Sequence, residues 1–228
     1  MPDVINLFPL SVYRSALSID PAAKGRMVDA VLEMSQTQPR KFEGRTWTGD
    51  INGFGFLHQD RRFSELFGAF PQHLNEYLDL LKIDPDKLRL YYTRSWATVS
   101  QGREQITPHR HRQAHLSLVY YLKKPEQSGG ICFMDKEPPN QFTPYLFREE
   151  MRHHRVVKEP ALFNSQVVTM HPKEDDVCIF PAMVEHATEP NLSDQPRLSI
   201  AVDIVATVKD SGLLEFMLPD LDRWTLAS

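Results

Sequence analysis

Positive charge is not in surplus in this chain. Twenty-six Lys and Arg stand against 30 Asp and Glu, a formal net charge of -4. That balance argues against broad nucleic-acid binding, which shows itself as a basic excess, although Arg103, Arg110 and Arg112 crowd one short stretch. Cysteine is scarce: Cys132 and Cys178 are the two in 228 residues. Each lies inside an apolar run and reads as a small buried hydrophobe, which excludes a disulfide framework and a CxxC metal knot. No apolar run approaches the length of a membrane span. The opening residues carry Asp3 where a secretory signal needs positive charge. Internal repeats, low-complexity tracts and obvious linkers are missing too. The expectation is a soluble cytoplasmic protein, large enough to bury a core without disulfides or a structural metal.

What is present divides into two textures, read as one domain over 1–228. A helical part covers about 1–87, a β-rich core about 88–207, and a tail 208–228. Residues 4–17 alternate loosely and open with a strand. Asp20-Pro21 is a helix start, an N-cap acid followed by proline at the first helical position. Met27, Ala30, Val31 and Met34 follow at helical spacing. Residues 41–61 hold Gly44, Gly49, Gly53 and Gly55 among aromatics and read as loop or irregular strand. Residues 63–82 form a second amphipathic helix, bent or split at Pro71.

From Leu88 onward the periodicity is that of strands. They fall at Leu88–Tyr92, Trp96–Val99, His115–Leu122, Ile131–Met134, Val177–Phe180 and 197–207, with Ser128-Gly129-Gly130 as a turn. Residues 135–165 form a connection long enough to suggest a lid or recognition loop. Short turns between regular strands point to an antiparallel sandwich or barrel with the helices outside.

The chemistry concentrates in three places: His109-Arg110-His111, His186, and Arg197-Leu198-Ser199. Two imidazoles at i and i+2 on a strand share a face. If the strand already runs at 109, that face reads His109, His111, Gln113, His115, Ser117, Val119, Tyr121. It is too polar for a core and suits a site. A third imidazole from a distant strand, His186, closes a metal site. Arg197 offers a planar fork suited to gripping a carboxylate in two places, and Ser199 on the same face adds a hydroxyl.

The spacing His-x10-Arg-x-Ser resembles the second half of the signature of Fe(II)/2-oxoglutarate-dependent oxygenases. Val119-Tyr120-Tyr121-Leu122 followed by Ser128-Gly129-Gly130-Ile131 resembles the strand and hairpin after the first ligand in prolyl-hydroxylase-like members. More closely, the chain is similar to a family of 2OG-Fe(II) oxygenases of bacteria and marine phages. That similarity is carried by Ser95-Trp96-Ala97, Pro108-His109-Arg110-His111, Leu116–Leu122 and Phe180-Pro181 through His186 to Pro190-Asn191. Asn6–Leu10 and Trp47-Thr48-Gly49-Asp50 extend it to nearly the whole chain.

The resemblance implies a mainly β, double-stranded β-helix (a jelly roll) with N-terminal helices packed outside. It implies an oxidoreductase, a dioxygenase of the hydroxylase kind, using Fe(II), 2-oxoglutarate and O2. His109 and His186 would be metal ligands, with His111 where the superfamily usually has Asp or Glu in its two-His-one-carboxylate triad. Arg197, Ser199 and Tyr121 would hold the distal carboxylate of 2-oxoglutarate. The expected partner is a small-molecule or peptide substrate, with no membrane and no nucleic acid; a homodimer is left open.

Two alternatives stay open at this point. His111 lies either inside the coordination sphere, giving three neutral imidazoles, or outside it, giving a two-histidine site. The second is a cupin-like metal-binding module, in which His115 takes the place of the cupin acid; Arg197-Leu198-Ser199 has no purpose there. Three histidines with water also suit zinc. Trp96 reads first as a buried structural residue. Tyr91 and Tyr92 alternate, so one of them would face the site. His58 and His73 have no partner pattern, and Asp135 is not among the expected ligands.

Overall fold

The computed structural model describes residues 3, 5–38, 44–210, 212 and 216–227. The expectations for residues 4, 41–43 and parts of the 208–228 tail lie partly outside these.

Strand β1 (Tyr13–Ala16) leads into helix α1 (Pro21–Thr37). Asp20 caps α1 as its spelling requires, its carboxylate accepting from the backbone N–H groups of Ala22 and Ala23. The buried stripe of α1 includes Met27, Ala30, Val31 and Met34. A two-residue strand β2 (Trp47–Thr48) follows, then tight turns, then α2 (Ser64–Leu80). Proline does not split α2. Pro71 withdraws the N–H that would reach the Phe67 carbonyl, and the Tyr92 hydroxyl donates to that carbonyl instead, at 3.3 Å.

The remaining strands are β3 (Leu88–Ser100), β4 (Leu116–Lys123), β5 (Ile131–Met134), β6 (Val167–Met170), β7 (Asp176–Pro181), β8 (Glu185–Thr188) and β9 (Arg197–Val208), with a short helix α3 (Glu149–His153) between β5 and β6. They form two antiparallel sheets. One has the order β1-β7-β4-β9-β3-β2 and the other β6-β5-β8. The two expected strands at 88–92 and 96–99 are one strand with a register shift between Tyr92 and Arg94.

Alternation sorts the large sheet. Ala97, Val99, Leu118, Tyr120, Leu122, Leu198, Ile200, Val202 and Ile204 pack into a core with Met27, Val31, Phe67, Phe70 and Tyr77 of the two helices. Ser117, Tyr121, Arg197, Ser199 and Asp203, all at odd positions, belong to the other face, toward the small sheet. This is a sandwich with helices on the outside, and it leaves one polar sheet face looking inward. Among the described residues no helix is long and apolar enough to cross a membrane.

Candidate metal and carboxylate site

A cavity of about 250 Å³ opens between the two sheets. Its walls include Trp96, Thr98, His109, His111, Tyr121, Ile131, His186, Thr188, Arg197 and Ser199. All six expected site residues therefore face one space. Cross-strand register stacks the walls in levels: Arg94 and Ser117 beside Asp203, then Trp96 and Val119 beside Ala201, then Thr98 beside Ser199, then Ser100 beside Arg197. Asp203 and Arg197 are six residues apart on β9, roughly 20 Å of strand.

His186 sits on β8, but His109 and His111 do not sit on a regular strand, so the strand is not already formed at 109. His109 makes an isolated bridge with His186, each N–H donating to the other's carbonyl at 3.0 Å. The His111 N–H donates to the Ala182 carbonyl at 3.0 Å. The chain turns before β4 begins at Leu116, so His115 is left exposed, with its Nδ1 accepting from the Ala206 N–H. The cupin spacing that needs His115 is not assembled. Gln113, Ser117, Val119 and Tyr121 of the expected face do line the cavity.

One ring nitrogen each of His109, His111 and His186 lies within 4.8 Å of the others. The other nitrogens are tied outward. His109 Nδ1 is 2.9 Å from the Thr107 carbonyl, and His186 Nδ1 is 2.9 Å from the Val184 carbonyl. His111 Nδ1 is 2.5 Å from Asp203 Oδ1, a carboxylate with no exposure. Carbonyls and carboxylates only accept, so each Nδ1 carries the proton and each Nε2 turns a lone pair inward. Burial holds two of the rings neutral: it lowers the pKa of His109 and, with the neighbouring His109, pushes His186 down to about 3. His109 Nε2 and His111 Nε2 approach to 3.1 Å. Lone pairs facing each other at that distance call for a cation between them. Trp96 is both buried and a wall of the cavity, stacked on His111 at 5.5 Å and 19°.

At the deep end Arg197 is 3% exposed. Its guanidinium donates to the carbonyls of Ser128 and Glu189 and to the hydroxyls of Thr188 and Ser100. Among the described residues no carboxylate forms an ion pair with it. Burial lowers its pKa, against the opposing charge of Glu189, yet a guanidinium stays charged, so a buried cation faces the cavity with no carboxylate paired to it. Ser199 shares a 2.7 Å hydrogen bond with Thr98. Tyr121 is buried, and that burial raises its pKa and keeps the phenol protonated as a donor. The Ser117 hydroxyl is buried without a partner.

Several expectations need correction. Neither Tyr91 nor Tyr92 lines the cavity: the Tyr91 hydroxyl donates to Asp220 at 2.5 Å, and Tyr92 packs on α2. His58 and His73 do have partners, Ser95 at 2.7 Å and Tyr13 at 2.8 Å. No residue of 135–165 lines the cavity; Lys136 reaches only Glu185, which also binds Arg110. Asp135 caps the N–H of Glu137 and stays outside. Polar residues absent from the expected site set include Asp203, Asp50, Arg94, Thr98 and Thr188. For Asp203 the period-2 run Arg197, Ser199, Ala201, Asp203 was the available signal.

Known structures share this architecture. SnoK, a non-heme alpha ketoglutarate dependent carbocyclase of nogalamycin biosynthesis, is 14% identical with a TM-score of 0.55, over 92% of this chain and 87% of that one. HygX of Streptomyces hygroscopicus, solved with nickel and 2-oxoglutarate bound, is 14% identical with a TM-score of 0.53, over 86% and 83%. A Pseudomonas putida prolyl-4-hydroxylase is 13% identical with a TM-score of 0.50, over 85% and 92%. At such identities the likeness speaks for the fold, a double-stranded β-helix. No curated protein matches the chain in sequence. Residues 94–203, which run from Arg94 through all three histidines to Asp203, match the family described as "Putative 2OG-Fe(II) oxygenase", and that segment, just under half of the chain, is its 2OG-Fe(II) oxygenase domain.

Proposed function

We propose that the protein hydroxylates a small-molecule or peptide substrate, with His109, His111 and His186 as iron ligands and Arg197, Ser199 and Tyr121 around the distal carboxylate of 2-oxoglutarate. One observation carries this reading. Three inward lone pairs that need a cation share a cavity with a buried guanidinium that needs an anion. Each feature is costly alone, and a metal with a dicarboxylate resolves both.

When bound, iron and 2-oxoglutarate supply an oxidative decarboxylation in which O2 is divided between succinate and the hydroxylated substrate, with loss of CO2. The chain supplies position. The carbonyls of Thr107 and Val184 and the Asp203 carboxylate fix the tautomer and aim of the three rings. Arg197 is itself held rigid by two carbonyls and two hydroxyls, so its fork is preorganised for a carboxylate. Ile131, Val119 and Ala201 make the wall between the two ends apolar and keep water out.

The test is anaerobic loading with Fe(II) and 2-oxoglutarate, read as the 2-oxoglutarate-dependent metal-to-ligand absorption band. A band that depends on both components is expected. Tight zinc binding without any band overturns the oxygenase reading in favour of metal-hydroxide chemistry.

A further inference from the structure

We infer that Asp50 and Arg94 form a substrate-recognition pair at the outer end of the cavity, and that the substrate carries a hydrogen-bond donor, a hydroxyl or an amine, beside the carbon that reacts. The inference rests on the oxygenase reading and names the substrate chemistry of that site.

Asp50 reaches the cavity by a route that leaves it little freedom. Thr48 pairs with Thr98, and the Gly49 N–H donates to the Ala97 carbonyl at 2.9 Å. The Gly49 carbonyl then accepts from both Asn52 and Phe54, closing a tight turn on Asp50. A Cβ at Gly49 would meet the Phe54 carbonyl oxygen at 3.1 Å, so a side chain there would press on the turn.

The carboxylate divides its two oxygens. Oδ2 accepts from Arg94 Nη2 at 3.1 Å. Oδ1 is buried and has no hydrogen-bond partner. Buried polar atoms in native proteins are paired almost without exception, and an unpaired oxygen of a charged group is the costliest case. Asp50, Arg94, Trp96 and His109 line the same cavity, and the charge on Asp50 is felt at His109. The carboxylate with the lone oxygen therefore shares the cavity of the histidine cluster.

Position separates this end from the co-substrate end. Arg94 is level with Asp203, and Arg197 with Ser100, at the far end of the same strand pair. A dicarboxylate anchored at Arg197 approaches the histidines from the Ser100 end, and Arg94, paired with Asp50, stands at the opposite end of the strand pair, level with the Asp203 that bonds His111. Arg94 lies over the Trp96 ring at 5.3 Å, which fixes its guanidinium plane. The pair offers one acceptor from Asp50 and the remaining N–H groups of Arg94. That suits a group that both donates and accepts, and it repels a carboxylate placed against Asp50.

The test uses the nickel-loaded full chain with 2-oxoglutarate, which binds without turning over. Four probes share one ring: cyclohexanol, cyclohexylamine, cyclohexanecarboxylate and methylcyclohexane, compared by ligand-observed NMR titration. At least one donor probe should bind about tenfold tighter than the carboxylate and the hydrocarbon, the scale expected when a buried charged acceptor gains or lacks its partner. Preference for the amine identifies an ammonium substrate, and preference for the alcohol a hydroxylated one. Asp50→Asn should cut the amine's affinity by about tenfold. Arg94→Gln, which frees Oδ2, should raise it, and a variant that merely loosened the fold would lower both. Equal binding of all four probes, no binding by any, or an unchanged preference in Asp50→Asn overturns the inference. The wild-type absorption band is recorded first. If that band is absent the oxygenase reading fails by itself, and probe preference is then read on the nickel protein without 2-oxoglutarate. If it is present and no donor is preferred, only this inference fails.

Discussion

His111 Nδ1 lies 2.5 Å from Asp203 Oδ1, and both residues are buried. On the proposed ligand set of His109, His111 and His186, the carboxylate that the usual triad places on the metal would be one hydrogen bond further out. Three neutral imidazoles with Fe(II) and a dianionic 2-oxoglutarate would sum to zero charge, and Asp203 would return a negative charge through the His111 ring. Asp203→Ala should weaken Fe(II) or Co(II) binding about 10–100-fold, the usual effect of losing a carboxylate behind a ligating imidazole. Asp203→Asn keeps an acceptor oxygen but no charge and should fall between. Competition against a chromophoric chelator measures both, and wild-type affinity in Asp203→Ala would remove Asp203 from the metal site.

The same pair explains what His111→Ala should do. His111 stacks between Trp96 and His186, so its loss opens a gap and strips one nitrogen from the cluster. Stoichiometric iron should disappear under conditions where the wild type retains one equivalent. Retention of iron in His111→Ala would establish a two-histidine site instead.

Much of this site was legible in the sequence, for reasons that separate local from long-range physics. Asp20-Pro21 and the stripe Met27, Ala30, Val31, Met34 are local signals, and α1 follows them. The odd positions of β9 carry the polar residues that line the site, so alternation alone placed Arg197 and Ser199 together. His115 was misplaced because the turn before Leu116 depends on His111 bonding to Ala182, a contact between distant segments. Pro71 does not break α2 because Tyr92 supplies a donor from another strand. Asp50 reaches the cavity only through the pairing of β2 with β3, which no local spacing announces.

Arg197 joins binding to stability. Arg197→Ala should weaken 2-oxoglutarate binding about 10–100-fold, the loss of one or two charge-assisted hydrogen bonds, while metal content holds. It also strips donors from the carbonyls of Ser128 and Glu189, at a cost of about 1–3 kcal/mol for each carbonyl left buried without a partner. Arg197→Lys keeps the charge and loses the fork, so its affinity should lie between. Titration of the absorption band and thermal melts of the same samples separate the two effects. Unchanged 2-oxoglutarate affinity in Arg197→Ala would place the co-substrate elsewhere.

The metal-free protein should lose stability as pH falls below about 6.5. Burial, and then the nearby His109, push His186 from its ordinary 6.5 down to about 3, and burial lowers His109 as well. In the unfolded chain both rings titrate near their ordinary value. Between that value and the folded one the unfolded chain takes up protons that the folded chain refuses. Stability therefore falls with falling pH, by up to about 1.4 kcal/mol per pH unit for each such ring. Above about pH 6.5 both states are neutral and the dependence vanishes. Urea unfolding at a series of pH values measures the slope. His186→Gln should reduce it by about one proton, and a slope unchanged by that substitution would assign the acid sensitivity to other groups. A metal ion competes with protons for the same lone pairs, so nickel should raise the midpoint strongly near neutral pH and progressively less toward pH 5.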